Sequence, residues 1–395
     1  MNPVYVVAAV RTPIGRFRGA LAGVRADQLG SHVLNELVAR AGVGPEDIDD
    51  VIFGCVTQIG EQSANIARTS LLGAGWADTI PAMTVDRKCG SSEAAIHIGA
   101  AQIAAGMSDL VVAGGAEAMS RVPMGSNRAI HGEAFGWQVS DRYELTSQGE
   151  AAERIADKYG FDRDALDDFA AESHRRAAAA SDAGYFRAET VVVPVAGLCE
   201  RDWEGPREPL DADQTIRRDT SREKLATLKT SFRENGRITA GNASQISDGA
   251  AVVLLASASA VERFGLTPLA RIRATAVVGA DPTLMLEGPV AASRKVAAMA
   301  GVSFDDIALF EVNEAFASVP MMWMQATGVG PDRLNVNGGA IALGHPLGAT
   351  GARLATSLIH ELGRSGQTYG LQAICCAGGL ATATLYENLT PKPQN

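Results

Sequence analysis

Residues 81–107 read PAMTVDRKCGSSEAAIHIGAAQIAAGM. Pro81 to Val85 is extended and apolar, the segment Asp86-Arg87-Lys88-Cys89-Gly90-Ser91-Ser92 interrupts it, and Glu93 to Met107 carries Ala and Ile at helical spacing. A strand therefore runs into a cysteine, and a helix begins just beyond it. The free N–H groups and positive dipole end of a helix N-terminus favour an anion, which predicts a Cys89 thiol drawn toward thiolate and a candidate nucleophile. Most unpaired cysteines are instead small buried hydrophobes, so the rest of the chain has to decide.

Outward from this unit, strands and helices alternate. Val4 to Val10 is a buried strand, Asp27 to Ala41 a helix stopped by Gly42, Ile48 to Val56 a strand, Asn65 to Leu72 a short helix, and Asp109 to Ala113 a strand ending in Gly114-Gly115. Such alternation predicts an α/β layered sheet. From about Ala118 to Gly241 the rhythm breaks into loops and two helices, Ala151 to Tyr159 and Arg163 to Ala180, with a charged, turn-rich run from Cys199 to Asp213. This excursion is expected to cover something.

Past Gly249 the first pattern returns. Leu269 to Val278 matches the opening strand, Asp305-Asp306-Ile307 matches the acidic lead-in to Ile48, and Ala377-Gly378-Gly379 matches Ala113-Gly114-Gly115. The Ile48/Ile307 and Gly114/Gly378 pairs lie 259 and 264 residues apart, which predicts an internal duplication. The expected division is a first core domain of residues 1–117 plus 242–268, an inserted cover of 118–241, and a second core domain of 269–395.

A chain of 395 residues exceeds what one core usually fills. Its net charge of -10 argues against nucleic acid as the main partner, which would demand a basic face. The five cysteines, Cys55, Cys89, Cys199, Cys375 and Cys376, have neither even number nor zinc spacing, so reduced thiols in a cytoplasmic setting are expected. No apolar run reaches membrane-spanning length, and the first residues enter a strand with no signal core. Neither a metal site nor a redox cofactor is indicated.

In the second half the counterpart of the Cys89 unit is Asn335 to Arg353, with His345 among closely spaced glycines before a helix. A pseudo-two-fold between the halves would bring His345 to Cys89, where an imidazole takes the thiol proton. Dense glycine suits close backbone approach to a ligand.

At this point the chain resembles the thiolase family of acetyl-CoA acyltransferases. The likeness runs nearly end to end: the Cys89 segment, Met119 to Gly125, Gly241-Asn242-Ala243-Ser244 with Asp248-Gly249-Ala250, Asn313-Glu314-Ala315-Phe316-Ala317, Gly338 to Arg353, and Tyr369 to Ala381. The resemblance implies a fold of duplicated βαβαβαββ core domains in five layers, α/β/α/β/α, with an inserted loop domain. It implies that Cys89 attacks the keto carbonyl of a 3-ketoacyl-CoA and becomes acylated, with His345 as its activator. It further implies that Cys375 protonates the departing acetyl-CoA enolate and later deprotonates CoA; motif counting from both sides favours it over Cys376, which would point to the other face of the strand. Asn313, through a water, and His345 would form one oxyanion hole, and the N–H groups of Cys89 and Ala377 the other.

Family alignment further implies that Arg217 lies near the adenine and phosphate end of CoA, Ser244 near the pantetheine, and Ser147, Gln148 and Phe316 at the substrate. Three positions depart from the pattern. Ala377 replaces a common Gly, Ser147-Gln148 stands where short-chain members carry His-Met, and Gln245 with the run Glu150 to Ala156 is closer to lipid- and steroid-degrading members. A substrate bulkier than acetoacetyl-CoA is therefore expected. CoA enters as a substrate and no cofactor is permanently bound, and the resemblance implies a homodimer or homotetramer. The rival readings are acetoacetyl-CoA synthesis from two acetyl-CoA, an idle CoA- or lipid-binding relative, and a decarboxylating ketosynthase. Cys89, His345, Asn313 and Cys375 together argue against idleness, and the second cysteine does not fit the Cys-His-His or Cys-His-Asn of ketosynthases.

Overall fold

The structure, a computed structural model, describes residues 2–128 and 130–390. Its principal elements begin with β1 (Val4–Arg11), α1 (Ala26–Ala41), β2 (Asp50–Gly54), α2 (Ile66–Gly73), β3 (Ala82–Val85), α3 (Ser91–Ala104) and β4 (Leu110–Ala118). The excursion contributes α4 (Gln148–Tyr159) and α5 (Arg163–Asp182). Then follow β5 (Ser247–Ser257), β6 (Ala270–Gly279), α6 (Gly288–Ala300), β7 (Leu309–Val312), α7 (Ser318–Thr327), α8 (Thr350–Ser365), β8 (Tyr369–Cys376) and β9 (Leu380–Asn388). Gly42 ends α1 in the left-handed conformation, its N–H returned to Val38, as a helix C-cap requires.

The strands hydrogen-bond in the order β3-β2-β4-β5-β1-β6-β9-β8-β7. The two halves mirror each other about the antiparallel contact of β1 with β6, where Val4 faces Ile272 and Val6 faces Ala270. On either side β2/β4 and β7/β8 pair parallel, while β4/β5 and β8/β9 pair antiparallel. β2 and β7, α3 and α8, and β4 and β8 each begin 259 residues apart, so a single register relates the halves. The offset of 264 is corrected: β4 continues through Gly114 and Gly115 to Ala118, whereas Gly378 and Gly379, with φ of 86° and 74°, turn the chain between β8 and β9.

Alternation along β4 explains the layering. Leu110, Val112 and Ala116 pack with Leu29, Leu37 and Leu71 from α1 and α2, while Val111 and Ala113 pack with Ile96 of α3 and Ala355 of α8. Both faces of the strand are buried, so it reads as a nearly unbroken apolar run. Helices α6 and α7 cover the far side of the second half, through Ala292, Val296 and Trp323. The result is five layers, with α3 and α8 shared in the middle.

Small residues let that middle layer close. A Cβ on Gly351 would collide with the backbone N of Glu93, and the N–H of Ala352 donates to Ser92 Oγ at 2.9 Å. Gly115 likewise admits the carbonyl of Gly348 against β4. The excursion is tied to the end of β1 by buried Arg11, which pairs with Glu189 at 2.6 Å and Asp213 at 2.8 Å. Gly351→Ala is expected to destabilise the protein by about 1–3 kcal/mol through overpacking, although alanine is the better helix former. A lowered urea midpoint checks this, and an unchanged or raised one contradicts the close approach of α3 and α8.

Candidate active site

Lys88 adopts a left-handed conformation, φ 53°, which costs a non-glycine residue about 1–3 kcal/mol and turns the chain sharply out of β3. Ser91 Oγ fixes the turn by accepting from the Arg87 N–H at 2.9 Å and donating to the Lys88 carbonyl at 2.6 Å. Cys89 is thereby held just before Gly90, the N-cap of α3, and is buried. Burial pushes its thiol up to about 11, while the N–H groups of Ala377 and of Cys89 itself face the sulfur and pull the other way. This corrects the expectation of a thiol drawn toward thiolate: removing the sulfur from water outweighs the helix terminus.

His345 follows Gly344, whose φ of 84° takes the chain out of the Ala340–Leu343 turn of helix, and its N–H is held by Ser247 Oγ at 2.8 Å. Its Nδ1 lies 2.6 Å from Thr350 Oγ1, whose own proton goes to the Pro346 carbonyl at 2.9 Å. Thr350 therefore accepts, Nδ1 carries the proton, and Nε2 presents a lone pair. Burial, and then the charge of Arg353, lower the imidazole to about 3, so it rests neutral. Nε2 lies 3.5 Å from Asn313 Nδ2, a loose contact, and buried Asn313 Oδ1 has no partner among the described residues.

Cys375 and Cys376 end β8 and face opposite ways. Cys375 packs with Phe316, Met285 and Ala377, and burial followed by the nearby Cys89 sulfur pushes its thiol up strongly. Cys376 sits beneath Gly90, where an added Cβ would strike its sulfur, and turns toward the Ile374 carbonyl at 3.8 Å. Ala377 itself has no positive φ, so a side chain is tolerated there.

Two cavities meet here. One, of about 400 Å³, is mostly apolar and is lined by Cys89, Ala377, Ser147, Gln148, Phe316 and Met285 among others. The second, of about 690 Å³, reaches from His345 past Ser244 and Gln245 to Arg217. They share Met124, Gln148, Phe232, Phe316 and Leu347. Ser147 also caps α4, accepting from the Glu150 N–H at 3.1 Å. Exposed Arg217 donates to Gln245 Oε1 at 3.4 Å, and Ser244 donates its N–H to the Ala315 carbonyl at 3.0 Å. Among the described residues no group of three or more His, Cys, Asp or Glu is arranged to hold a metal.

Sequence reasoning missed three contributors. Thr350, inside a recognised motif, orients His345. Phe232, from the excursion, stacks edge-on against Phe316 at 5.8 Å and walls both cavities. Glu117, the one acid in the buried run of β4, accepts from the N–H groups of Val56, Thr57 and Gly348 at 2.8–2.9 Å. A single carboxylate within an apolar strand was the available signal.

Residues 4–259 match the model of the thiolase N-terminal domain and 266–388 that of the thiolase C-terminal domain. The chain belongs to the thiolase family. It is 45% identical to a steroid 3-ketoacyl-CoA thiolase of Mycobacterium tuberculosis, covering 98% of this chain and 95% of that one. It is 42% identical to an acetyl-CoA acetyltransferase of Chromobacterium violaceum, over 97% and 99% of the two chains, and 41% identical to a 3-ketoacyl-CoA thiolase of Bacillus subtilis, over 98% and 100%. The crystal structure of the Bacillus anthracis acetyl-CoA acetyltransferase superposes with a TM-score of 0.89 at 40% identity, over 98% of this chain and 99% of that one.

Two outcomes follow from the neutral pair. With the thiol near 11 and the imidazole near 3, both stay uncharged across neutral pH, so alkylation of Cys89 by iodoacetamide should keep rising with pH through 9 and 10. A plateau already reached near pH 7 would instead indicate a resting thiolate–imidazolium pair. Thr350→Val removes the acceptor that selects the Nδ1–H tautomer, and kcat should fall about 10–100-fold, with recovery in Thr350→Ser. Equal activity of the valine and serine variants would remove that role.

Proposed function

We propose that this thiolase cleaves 3-ketoacyl-CoA substrates whose acyl group is larger than acetyl, by ping-pong transfer through Cys89. The carrying observation is the apolar cavity of about 400 Å³ that opens on the Cys89 sulfur. A water molecule's share of liquid is about 30 Å³, so this space suits on the order of a dozen carbon-sized groups where acetyl needs few. The Ser147-Gln148 wall and the likeness to a steroid-degrading relative support the same reading.

Cys89 gives its proton to His345 Nε2 as its sulfur attacks the keto carbon, and separated charge appears only then. The new oxyanion lies on the carbon bonded to Sγ, close to the N–H groups of Cys89 and Ala377 that already face the sulfur. The carbon–carbon bond breaks, and Cys375 supplies a proton to the enolate of the leaving acetyl-CoA. The second oxyanion site is formed by His345, then protonated on Nε2, with a water held by Asn313, whose buried Oδ1 is otherwise unpaired. Incoming CoA loses its thiol proton to Cys375 and its sulfur attacks the acyl-enzyme; the carbon–Sγ bond breaks, the Cys89 sulfur takes back the proton held on His345 Nε2, and the shortened acyl-CoA leaves.

CoA lies along the larger cavity, with its pantetheine near Ser244 and its nucleotide end near Arg217. It is a substrate, and the residues named carry every proton, so no permanently bound cofactor takes part. The protein acts in the cytoplasm as a homodimer or homotetramer; exposed Ile130, Trp137 and Val139 are apolar surface of the kind interfaces cover, and no described helix is long and apolar enough to cross a membrane.

The reverse condensation of two acetyl-CoA is the second reading, which the Chromobacterium violaceum relative favours and the size of the acyl cavity opposes. Thiolysis followed by loss of the 3-ketoacyl-CoA enolate absorbance tests them. Long or alicyclic 3-ketoacyl-CoA should show kcat/KM at least tenfold above acetoacetyl-CoA, abolished in Cys89→Ala. A clear preference for acetoacetyl-CoA would overturn the larger-acyl assignment.

A further inference from the structure

Gln245 lines the larger cavity, half-buried, and both ends of its amide are committed. Nε2 lies 2.8 Å from the Thr215 carbonyl, 2.8 Å from that of Ile341 and 3.4 Å from that of Ala342. Carbonyl oxygens around one atom demand a donor, so its partners assign this end as the nitrogen and the other as the oxygen that accepts from Arg217 Nη2 at 3.4 Å. The backbone carbonyl of Gln245 accepts from the His345 N–H at 3.1 Å and from Ser247 Oγ at 3.1 Å. One residue therefore holds the histidine turn by its side chain and by its main chain.

The arrangement has a covalent cause. Ala340–Leu343 is a single turn of helix, and the N–H of Gly344 returns to the Ala340 carbonyl. A continuing helix would bring the N–H of residue 345 to Ile341 and that of residue 346 to Ala342. Gly344, at φ 84° and ψ 168°, ends the turn, the His345 N–H goes to Gln245 and Ser247 instead, and Pro346 has no N–H to give. Ile341 and Ala342 are fully buried, so water does not replace the missing donors. Gln245 provides one from its side chain and takes the His345 N–H in return.

We infer that Gln245 is a positioning residue for the reaction: it joins the end of the Ala340–Leu343 turn and the His345 backbone to Thr215 of the excursion, and so fixes the imidazole that takes the Cys89 proton. The inference rests on the proposed proton transfer to His345. Gln245 acts through the turn, as the amide donor that Pro346 cannot be. Through Thr215 the same nitrogen ties the imidazole to the segment that covers the cavity.

The test measures thiolysis of one 3-ketoacyl-CoA by the native chain and by its Gln245→Met, Gln245→Glu and His345→Ala variants, with kcat and the KM for CoA determined separately. Methionine fills a similar space with no donor. Glutamate keeps the acceptor for Arg217 and sets an anion against the carbonyls of Thr215 and Ile341. Both should lower kcat about 10–100-fold, as a misplaced proton acceptor does. In Gln245→Met the KM for CoA should stay within about threefold of native, the pattern of a group that serves the reacting state rather than binding. If one variant fails to fold, judged by circular dichroism, the other carries the same expectation; if neither folds, Gln245 is a folding residue and the inference falls. A native kcat in Gln245→Glu makes the contact with Arg217 the one that counts, and overturns the inference. So does a KM for CoA raised about tenfold at native kcat, which makes Gln245 a contact of CoA. Both outcomes leave the thiolase reading intact while His345→Ala is inactive, whereas full activity of His345→Ala overturns the proton transfer and this inference together.

Discussion

The carboxylate of Glu117 joins what the rest of the site depends on. It projects from β4 and collects the N–H groups of Val56, Thr57 and Gly348, with Gln62 Nε2 at 3.0 Å. Val56 and Thr57 wall the acyl cavity, and Gly348 lies three residues beyond His345. One buried acid thus connects the first half of the duplicated fold to the histidine turn of the second. Burial raises its proton affinity, and the three backbone donors oppose that, which is the usual compromise of a carboxylate kept inside a protein. Gly115 completes the arrangement, since only its missing Cβ lets the Gly348 carbonyl lie against β4.

Desolvation governs the chemistry at the same place. Two helices point their N-termini toward the cavities, yet Cys89 and His345 are both removed from water, and removal from water favours the neutral form of each. A neutral thiol and a neutral imidazole with a free Nε2 hold no charge in the ground state. In the reaction proposed above, charge develops only as the sulfur reacts, where the N–H groups of Cys89 and Ala377 already face it. The paired cysteines of β8 divide by strand alternation: Cys375 turns to the site and Cys376 to the packing beneath Gly90.

Charge is distributed to match the two cavities. The chain is acidic overall, and Arg217 and Arg128 stand at separate cavities as local exceptions. Between them the shared wall of Met124, Phe232, Phe316 and Leu347 is apolar.

Much of this was legible in the sequence. Periodicity gave the strands and helices of both halves, and residue pairs such as Ile48 and Ile307 disclosed the duplication, because buried strands and helices impose their periods on side-chain polarity. Cys89 and His345 stood out for their settings, and Asn313 through the family resemblance, before any geometry was known. The extent of β4 was missed because glycine usually breaks a strand; here tight packing against Gly348 and Ala251 demands it. The direction of the Cys89 shift was missed because local sequence reveals a helix terminus but not how much water the rest of the chain removes. The tautomer of His345 depends on which surfaces the fold brings together. Periodicity and spacing are local properties that a sequence carries by itself, whereas burial and proximity are sums over the whole packed chain and belong to the tertiary structure.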